Sequence, residues 1–233
     1  MAADAQSQAP PRGRPWQLSL GFALWFTALV FFLFMAVMAA FYDYFPADLR
    51  IAHAIQDIDV PAFGGYVDFM NFVGDEKVYV VLTVLAIGAF ARARAGWEAI
   101  LLALTIVPPA IESAMKSWVG RPRPSADLLH IDGHYSGASF PSGHVVGMAA
   151  LFGALFFLVP AVVPWRPVRW VLQAGCLLLV ASAGPARVYV GAHWPSDVLG
   201  SLLLAFVVLA PLLVGYGWLR RGPRPAPERP RAG

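Results

Sequence analysis

Apolar residues along this chain come in long unbroken blocks. The first, Trp16 to about Tyr42, is rich in Leu, Phe, Ala and Val and carries no charge. A helix needs about 20 apolar residues to cross a bilayer core of ~30 Å. Further blocks run Val78–Phe90, Trp97–Met115, Val145–Val163, Trp170–Ala183 and Pro195 to about Trp218. Pro108-Pro109 interrupts the Trp97–Met115 block, which a membrane helix tolerates when neighbours satisfy the freed backbone. The polar stretches between blocks are 43–76, 116–140 and a turn around 184–196. In the first of these, Ile51, Ile55 and Ile58 recur at helical spacing, which predicts a short amphipathic helix on the membrane surface. Pro61, Gly64 and Gly65 then predict a break. Trp16, Trp25, Tyr42 and Tyr44 are candidate interface anchors.

The pattern predicts an all-α fold, a polytopic membrane helical bundle with about six transmembrane helices over residues 16–219. Residues 1–15 are expected to form a disordered cytoplasmic tail, not a cleaved leader, because the apolar run that follows is too long. An Arg/Pro-rich cytoplasmic tail is expected over 220–233.

Composition agrees. The chain is 58% hydrophobic and 13% charged, against about 25% charged in a soluble domain. Its mean hydropathy is +0.62. A sizeable soluble domain is excluded and no nucleic-acid partner is expected. The single cysteine, Cys176, lies in an apolar run, which excludes a disulfide framework and a thiolate metal site.

Where the charges fall predicts orientation. With six spans both termini share a side, which collects Arg12, Arg14, Arg92, Arg94, Arg166, Arg169, Arg220, Arg221, Arg224, Arg229 and Arg231. The positive-inside rule makes that side cytoplasmic. The acidic 43–76 segment and the 116–140 loop then face outward. The basic residues that break the rule are Arg50, Lys77, Lys116, Arg121, Arg123 and Arg187. Most lie near one polar region, so a ligand is a reason for them to be there.

Three stretches carry candidate chemistry. Phe140-Pro-Ser142-Gly143-His144 precedes an apolar block and predicts a helix N-terminus, where free N–H groups and the dipole favour an anion. Lys116, with Arg121-Pro-Arg123-Pro124 after it, offers a point charge and planar forks suited to phosphate oxygens. In Arg187-x5-His193-x3-Asp197 the histidine and aspartate fall on neighbouring turns. An aspartate that accepts from one ring nitrogen leaves the other free as a nucleophile. Glu112 near the end of its span is an intramembrane carboxylate, expected to pair with a basic neighbour or the polar site. His130, His134 and Cys176 receive no role. No carboxylate cluster has metal-like spacing, so chemistry without a metal or other cofactor is expected.

The ordered motifs Lys-x6-Arg-Pro, Pro-Ser-Gly-His and Arg-x5-His-x3-Asp resemble the type 2 phosphatidic acid phosphatase family. Lys116, Arg123 and Pro124 match the first, Pro141 to His144 the second, and Arg187, His193 and Asp197 the third. The motifs cover the second half of the chain, and the six-span layout extends the likeness to most of it. The serine that precedes the arginine in the family's third motif is Ala186 here, which removes a hydroxyl able to touch phosphate or brace a neighbour.

The resemblance implies a lipid phosphatase of a cell (inner) membrane with its site on the outer face. His193 would form a phosphohistidine, Asp197 would hold its tautomer, and His144 would be the general acid. Lys116, Arg123, Arg187, Ser142 and Gly143 would bind the phosphate. Undecaprenyl diphosphate, phosphatidic acid, phosphatidylglycerophosphate and lipid A phosphates are the candidate substrates, with the polyprenyl diphosphate preferred. A phosphotransferase would use the same residues. A lipid or anion transporter with a basic outer patch is the alternative of a different class.

Overall fold

A computed structural model describes residues 15–220, with side chains from Leu20 onward. The helices, in chain order, are α1 (Pro15–Phe41), α2 (Asp48–Gln56), α3 (Phe63–Val73), α4 (Glu76–Arg92), α5 (Gly96–Ala103), α6 (Val107–Val119), α7 (Gly143–Val162), α8 (Arg166–Tyr189) and α9 (Pro195–Arg220). A 3₁₀ turn, Leu104–Ile106, joins α5 to α6 into one path. The described residues contain no strand. The tails expected over 1–15 and 220–233 lie outside the described residues, save Pro15 and Arg220 at helix ends. The Trp16 side chain lies outside them too.

Five helical paths are long and apolar enough to cross a membrane: α1, α5–α6, α7, α8 and α9. The sixth expected span is α4. Its 17 residues reach about 25 Å at ~1.5 Å per residue, the short end of the spanning range. Asp75 caps α4 by accepting from the N–H groups of Lys77 and Val78.

Helix α7 is the centre of the bundle and packs against α4, α6, α8 and α9. Its composition permits this. Gly147 lies against the Tyr79 ring, where a Cβ would meet Cδ2 at 3.3 Å. Ala149, Ala150 and Ala154 are buried with Val145, Val146, Met148 and Leu151. Small residues let membrane helices approach closely, which replaces the hydrophobic drive that lipid does not supply.

Three of the prolines inside the spans follow one rule. A proline has no N–H for the carbonyl four residues earlier. Pro109 leaves Thr105 O free, and Tyr79 Oη donates to it at 2.9 Å. Pro160 leaves Phe156 O free, and Gln173 Nε2 donates to it at 2.9 Å. Pro211 leaves Val207 O free, and Trp25 Nε1 donates to it at 2.8 Å. Each donor comes from another helix, so each proline becomes a tie between helices. Trp25, expected as an interface anchor, is such a tie.

Two short elements differ from the sequence reading. Helix α2 takes in Ile51 and Ile55 but ends at Gln56, before Ile58, and its inner face of Leu49, Ala52 and Ile55 packs on Leu129, Val188 and Trp194. The expected break holds at Pro61, which lies in a turn before α3, but α3 then runs through both Gly64 and Gly65. Buried Val67, Met70 and Val73 seat it against α8, and that packing outweighs the roughly 1 kcal/mol helix cost of each glycine. Helix α8 also runs to Tyr189, beyond the expected end at Ala183, and so carries Arg187 in its last turn.

Candidate active site

One end of the bundle gathers the polar residues. The C-terminus of α6 brings Lys116, the N-terminus of α7 brings Gly143 and His144, the C-terminus of α8 brings Arg187, and α9 begins two residues after His193. Between them lies a cavity of about 510 Å³ whose lining includes Lys116, Arg123, Gly143, His144, Arg187 and His193. Six of the eight expected site residues thus meet in one space.

His193 is held by a turn that needs Gly191. That glycine has φ +70°, and a Cβ on it would meet His130 O at 2.3 Å. The turn closes with Ala192 N–H donating to Arg187 O at 3.0 Å. Gln56 of α2 donates to His130 O at 2.7 Å and Tyr189 O at 2.9 Å, so it caps α8 and fixes the loop beside the turn. Through its backbone, His130 thus has a structural part.

The two ring nitrogens of His193 have different surroundings. Nε2 lies 3.2 Å from Arg123 Nη1. Nδ1 lies 3.6 Å from Asp197 Oδ2 and 3.5 Å from Ser139 Oγ. Burial disfavours the imidazolium and lowers the His193 pKa to about 4; Asp197 pulls it up, while the charges of Arg123 and Arg187 push it down. The ring is therefore neutral at pH 7. A proton on Nδ1, facing the carboxylate, leaves the Nε2 lone pair toward Arg123.

Asp197 has no exposed surface. Its Oδ1 accepts from Arg121 Nη1 at 2.5 Å. Its Oδ2 accepts from Ser139 Oγ at 2.5 Å and from Trp194 N–H at 2.8 Å. The last bond is the return arm of a capping box at the start of α9, so the residue caps a helix and faces the histidine at once.

The basic residues facing the cavity are only partly engaged. Arg123 donates to Ala192 O at 2.7 Å and to Ser136 O and Gly137 O at 3.2 Å. Burial lowers its pKa and Asp197 raises it, and a guanidinium stays charged regardless. Arg187 donates to Asn71 Oδ1 at 2.7 Å, while its buried Nε has no partner. Tyr135 lies under both guanidiniums, 5.8 Å from Arg123 and 5.1 Å from Arg187, and burial raises its pKa, so it remains a neutral phenol. Lys116 Nζ is 2.6 Å from Glu112 Oε1. Glu112 also lies against Gly143, where a Cβ would meet Oε1 at 3.2 Å. It therefore meets both fates expected of it, a basic partner and the polar site.

The His144 ring rests on Gly74, where a Cβ would meet Cδ2 at 2.8 Å. His134, exposed, is also in the lining.

Two expectations need correction. The Ser142 N–H is already engaged, donating to Ser201 Oγ at 2.7 Å. Ser142 is buried and its own Oγ has no partner, so the N–H of Gly143, unpaired by helix geometry, is the backbone donor on the cavity. Arg121, considered as a further phosphate contact or merely a loop residue, does lie in the loop after α6 but faces away from the cavity. It is buried, with Nη2 on Asp48 Oδ2 at 3.0 Å, Nη1 on Ser196 Oγ at 2.8 Å and Nε on Asp43 O at 3.1 Å. Ala186, where the family has serine, is wholly buried among Val67, Met70, Val145 and Met148; a hydroxyl there would face apolar side chains.

Asp48, Asn71, Ser139 and Ser196 were not found from sequence. Only the crowding of acids over 43–76 hinted at Asp48. Among the described residues no three of His, Cys, Asp and Glu form a metal-holding group.

Comparison with known proteins follows the same lines. The family described as the PAP2 superfamily matches residues 97–221. Phosphatidylglycerophosphatase B of Bacillus subtilis is 29% identical over 189 residues, which cover 77% of this chain and 90% of that protein. Undecaprenyl-diphosphatase BcrC of the same organism is 31% identical over 134 residues, 56% of this chain and 64% of that one. The crystal structure of a transmembrane PAP2-type phosphatidylglycerolphosphate phosphatase from Bacillus subtilis superposes with a TM-score of 0.72 at 21% identity, covering 86% of this chain and 98% of that chain. At that identity the superposition speaks for the fold alone.

Proposed function

The chain belongs to the PAP2 superfamily and is a multi-pass membrane phosphatase; from that premise we propose that it hydrolyses a lipid phosphate through a phosphohistidine at His193, on the extracytoplasmic face. Family membership sets the transporter reading aside. One observation carries the lipid. The cavity that holds His193, Arg123 and Lys116 also reaches Val80 and Ile106, apolar side chains 44% and 56% exposed on membrane helices. A lipid can leave its tails beside these residues in the bilayer while its headgroup reaches the histidines.

In the first step His193 Nε2 bonds to phosphorus as the bond to the leaving oxygen breaks, and His144 gives that oxygen a proton. Asp197 holds the Nδ1 proton and balances the positive ring. Lys116, Arg123, Arg187 and the Gly143 N–H stabilise the charge on the equatorial oxygens. Lys116 turns to the phosphate from its pairing with Glu112. In the second step His144 takes a proton from water, the hydroxide attacks phosphorus, and the P–N bond breaks to release phosphate. No step calls for a metal or cofactor.

Of the relatives above, the one aligned over most of both chains is a phosphatidylglycerophosphatase. That favours a glycerophospholipid phosphate over the polyprenyl diphosphate preferred from sequence. The test is phosphate release by purified protein from a panel of lipid phosphates, with and without EDTA. Release from at least one lipid, unchanged by EDTA, is expected. No release from any, or activity lost to EDTA and restored by Mg²⁺, overturns the reading. The outward site is tested by cysteine labelling of intact cells in a Cys176→Ala background. Label on Asp132→Cys and none on Arg224→Cys is expected; the reverse overturns the orientation.

A further inference from the structure

Two residues before the cavity-facing Arg123, Arg121 turns the other way. The residue is 1% exposed and every guanidinium nitrogen is engaged. Nη1 reaches Asp197 Oδ1 at 2.5 Å and Ser196 Oγ at 2.8 Å, Nη2 reaches Asp48 Oδ2 at 3.0 Å, and Nε reaches Asp43 O at 3.1 Å. The Phe45 ring lies 4.6 Å from its central carbon.

Asp48 completes the cluster from behind. Its Oδ1 accepts from Ser196 N–H at 2.8 Å, and its Oδ2 accepts from Ser196 Oγ at 2.6 Å and Phe45 N–H at 2.8 Å. The cluster thus ties the start of α2, the loop after α6 and the first turn of α9. A backbone bond from Ser139 N–H to Arg121 O, 2.8 Å, sets Ser139 in the same frame. Arg121, Ser139 and the Trp194 N–H therefore hold both oxygens of Asp197. With the carboxylate so fixed, Oδ2 stays 3.6 Å from His193 Nδ1.

We propose that Arg121 is a positioning residue for the nucleophile: through Asp197 it sets the orientation of the His193 ring, with Asp48 and Ser196 holding Arg121 itself. The proposal rests on His193 being the nucleophile. Arg121 is not among the residues that line the cavity, so it has no part in binding phosphate. Its loss acts on the attack by Nε2, and so it is independent of the leaving group.

The experiment compares wild type, Arg121→Lys, Arg121→Gln and Ser196→Ala. For each it measures the folded fraction by size exclusion, kcat on an alkyl and an activated aryl phosphate, and the Ki of inorganic phosphate. In folded Arg121→Gln, kcat should fall by about 10²-fold on both substrates, the scale of a nucleophile misplaced by a remote change. The Ki of phosphate should stay within about threefold, and Arg121→Lys should recover part of the loss. Two results overturn the proposal: wild-type kcat in a folded Arg121→Gln, or a raised Ki with kcat retained. If neither Arg121 variant folds, Ser196→Ala decides. A lowered kcat with unchanged Ki supports the proposal, and unchanged kcat overturns it. Phosphoenzyme trapping on wild type separates the two claims. Label absent from His193 sinks the mechanism; label on His193 with indifferent Arg121 variants sinks only this inference.

Discussion

Two groups of charged residues meet back to back at His193, and they are finished differently. Behind the ring, Arg121, Asp48, Ser196, Ser139 and Asp197 are buried, and their polar atoms are matched among themselves. In front of it, the buried Arg187 Nε is unpartnered and Lys116 has only Glu112. A buried donor without a partner costs stability, so such groups persist where a ligand completes them. Under the proposed mechanism, the contrast separates residues that shape the site from residues that bind in it. Arg121 and Arg123, two positions apart, fall on opposite sides of that line.

Substitutions in front should therefore remove turnover and leave stability alone. His193→Ala is expected to lose nearly all turnover and all trapped phosphoenzyme. Label persisting in this variant would move the nucleophile elsewhere. His144→Ala should cost about 10²–10⁴-fold on an alkyl phosphate, the usual worth of a general acid. On an aryl phosphate with an acidic phenol the loss should shrink, since that leaving group needs no proton. An equal loss on both substrates would break the assignment.

Substitution behind the ring should do the converse. Asp48→Ala leaves Arg121 buried with one carboxylate instead of two, and breaking a buried pair costs about 3–5 kcal/mol. A markedly lower melting temperature is expected; an unchanged one would show the cluster to be dispensable. The pH response sharpens the same boundary. The His193 pKa, lowered to about 4 in the fold by burial, lies below its unfolded value near 6.5. The unfolded chain therefore binds a proton first as pH falls. This histidine's share of stability is intact above about pH 6.5 and declines toward pH 4. His193→Gln should flatten that part of the stability curve, and an unaltered slope would contradict a buried neutral ring.

The smallest expected effect lies away from the site. Gln173→Leu frees Phe156 O beside Pro160, at about 0.6 kcal/mol for a polar contact between membrane helices. In a Pro160→Ala background, where the helix supplies its own N–H, that cost should vanish. An equal cost in both would mean that Gln173 does not answer the proline.

Much of this molecule follows from residues near one another in the chain. Apolar blocks must become helices, because lipid leaves a backbone no other partner. Pro141 to Gly143 must open one, and the spacing from Arg187 to Asp197 carries its residues around a single helix–turn–helix. Span topology and the family resemblance then assigned Lys116, Arg123, Gly143, His144, Arg187 and His193 to one site, and they line one cavity. Matters that depend on distant partners were not legible. Arg121 pairs with Asp48 across 73 positions and Asp48 with Ser196 across 148. Ser142 spends its N–H on Ser201, 59 positions away. The glycines of α3 read locally as a break, yet the helix runs through them because Val67, Met70 and Val73 further along it pack against α8. A side chain's local spacing says which chemistry it can do. Whether its hydrogen bonds are spent inside the protein or left for a ligand is decided only when the helices close on one another, since burial turns each polar group into one that must find a partner.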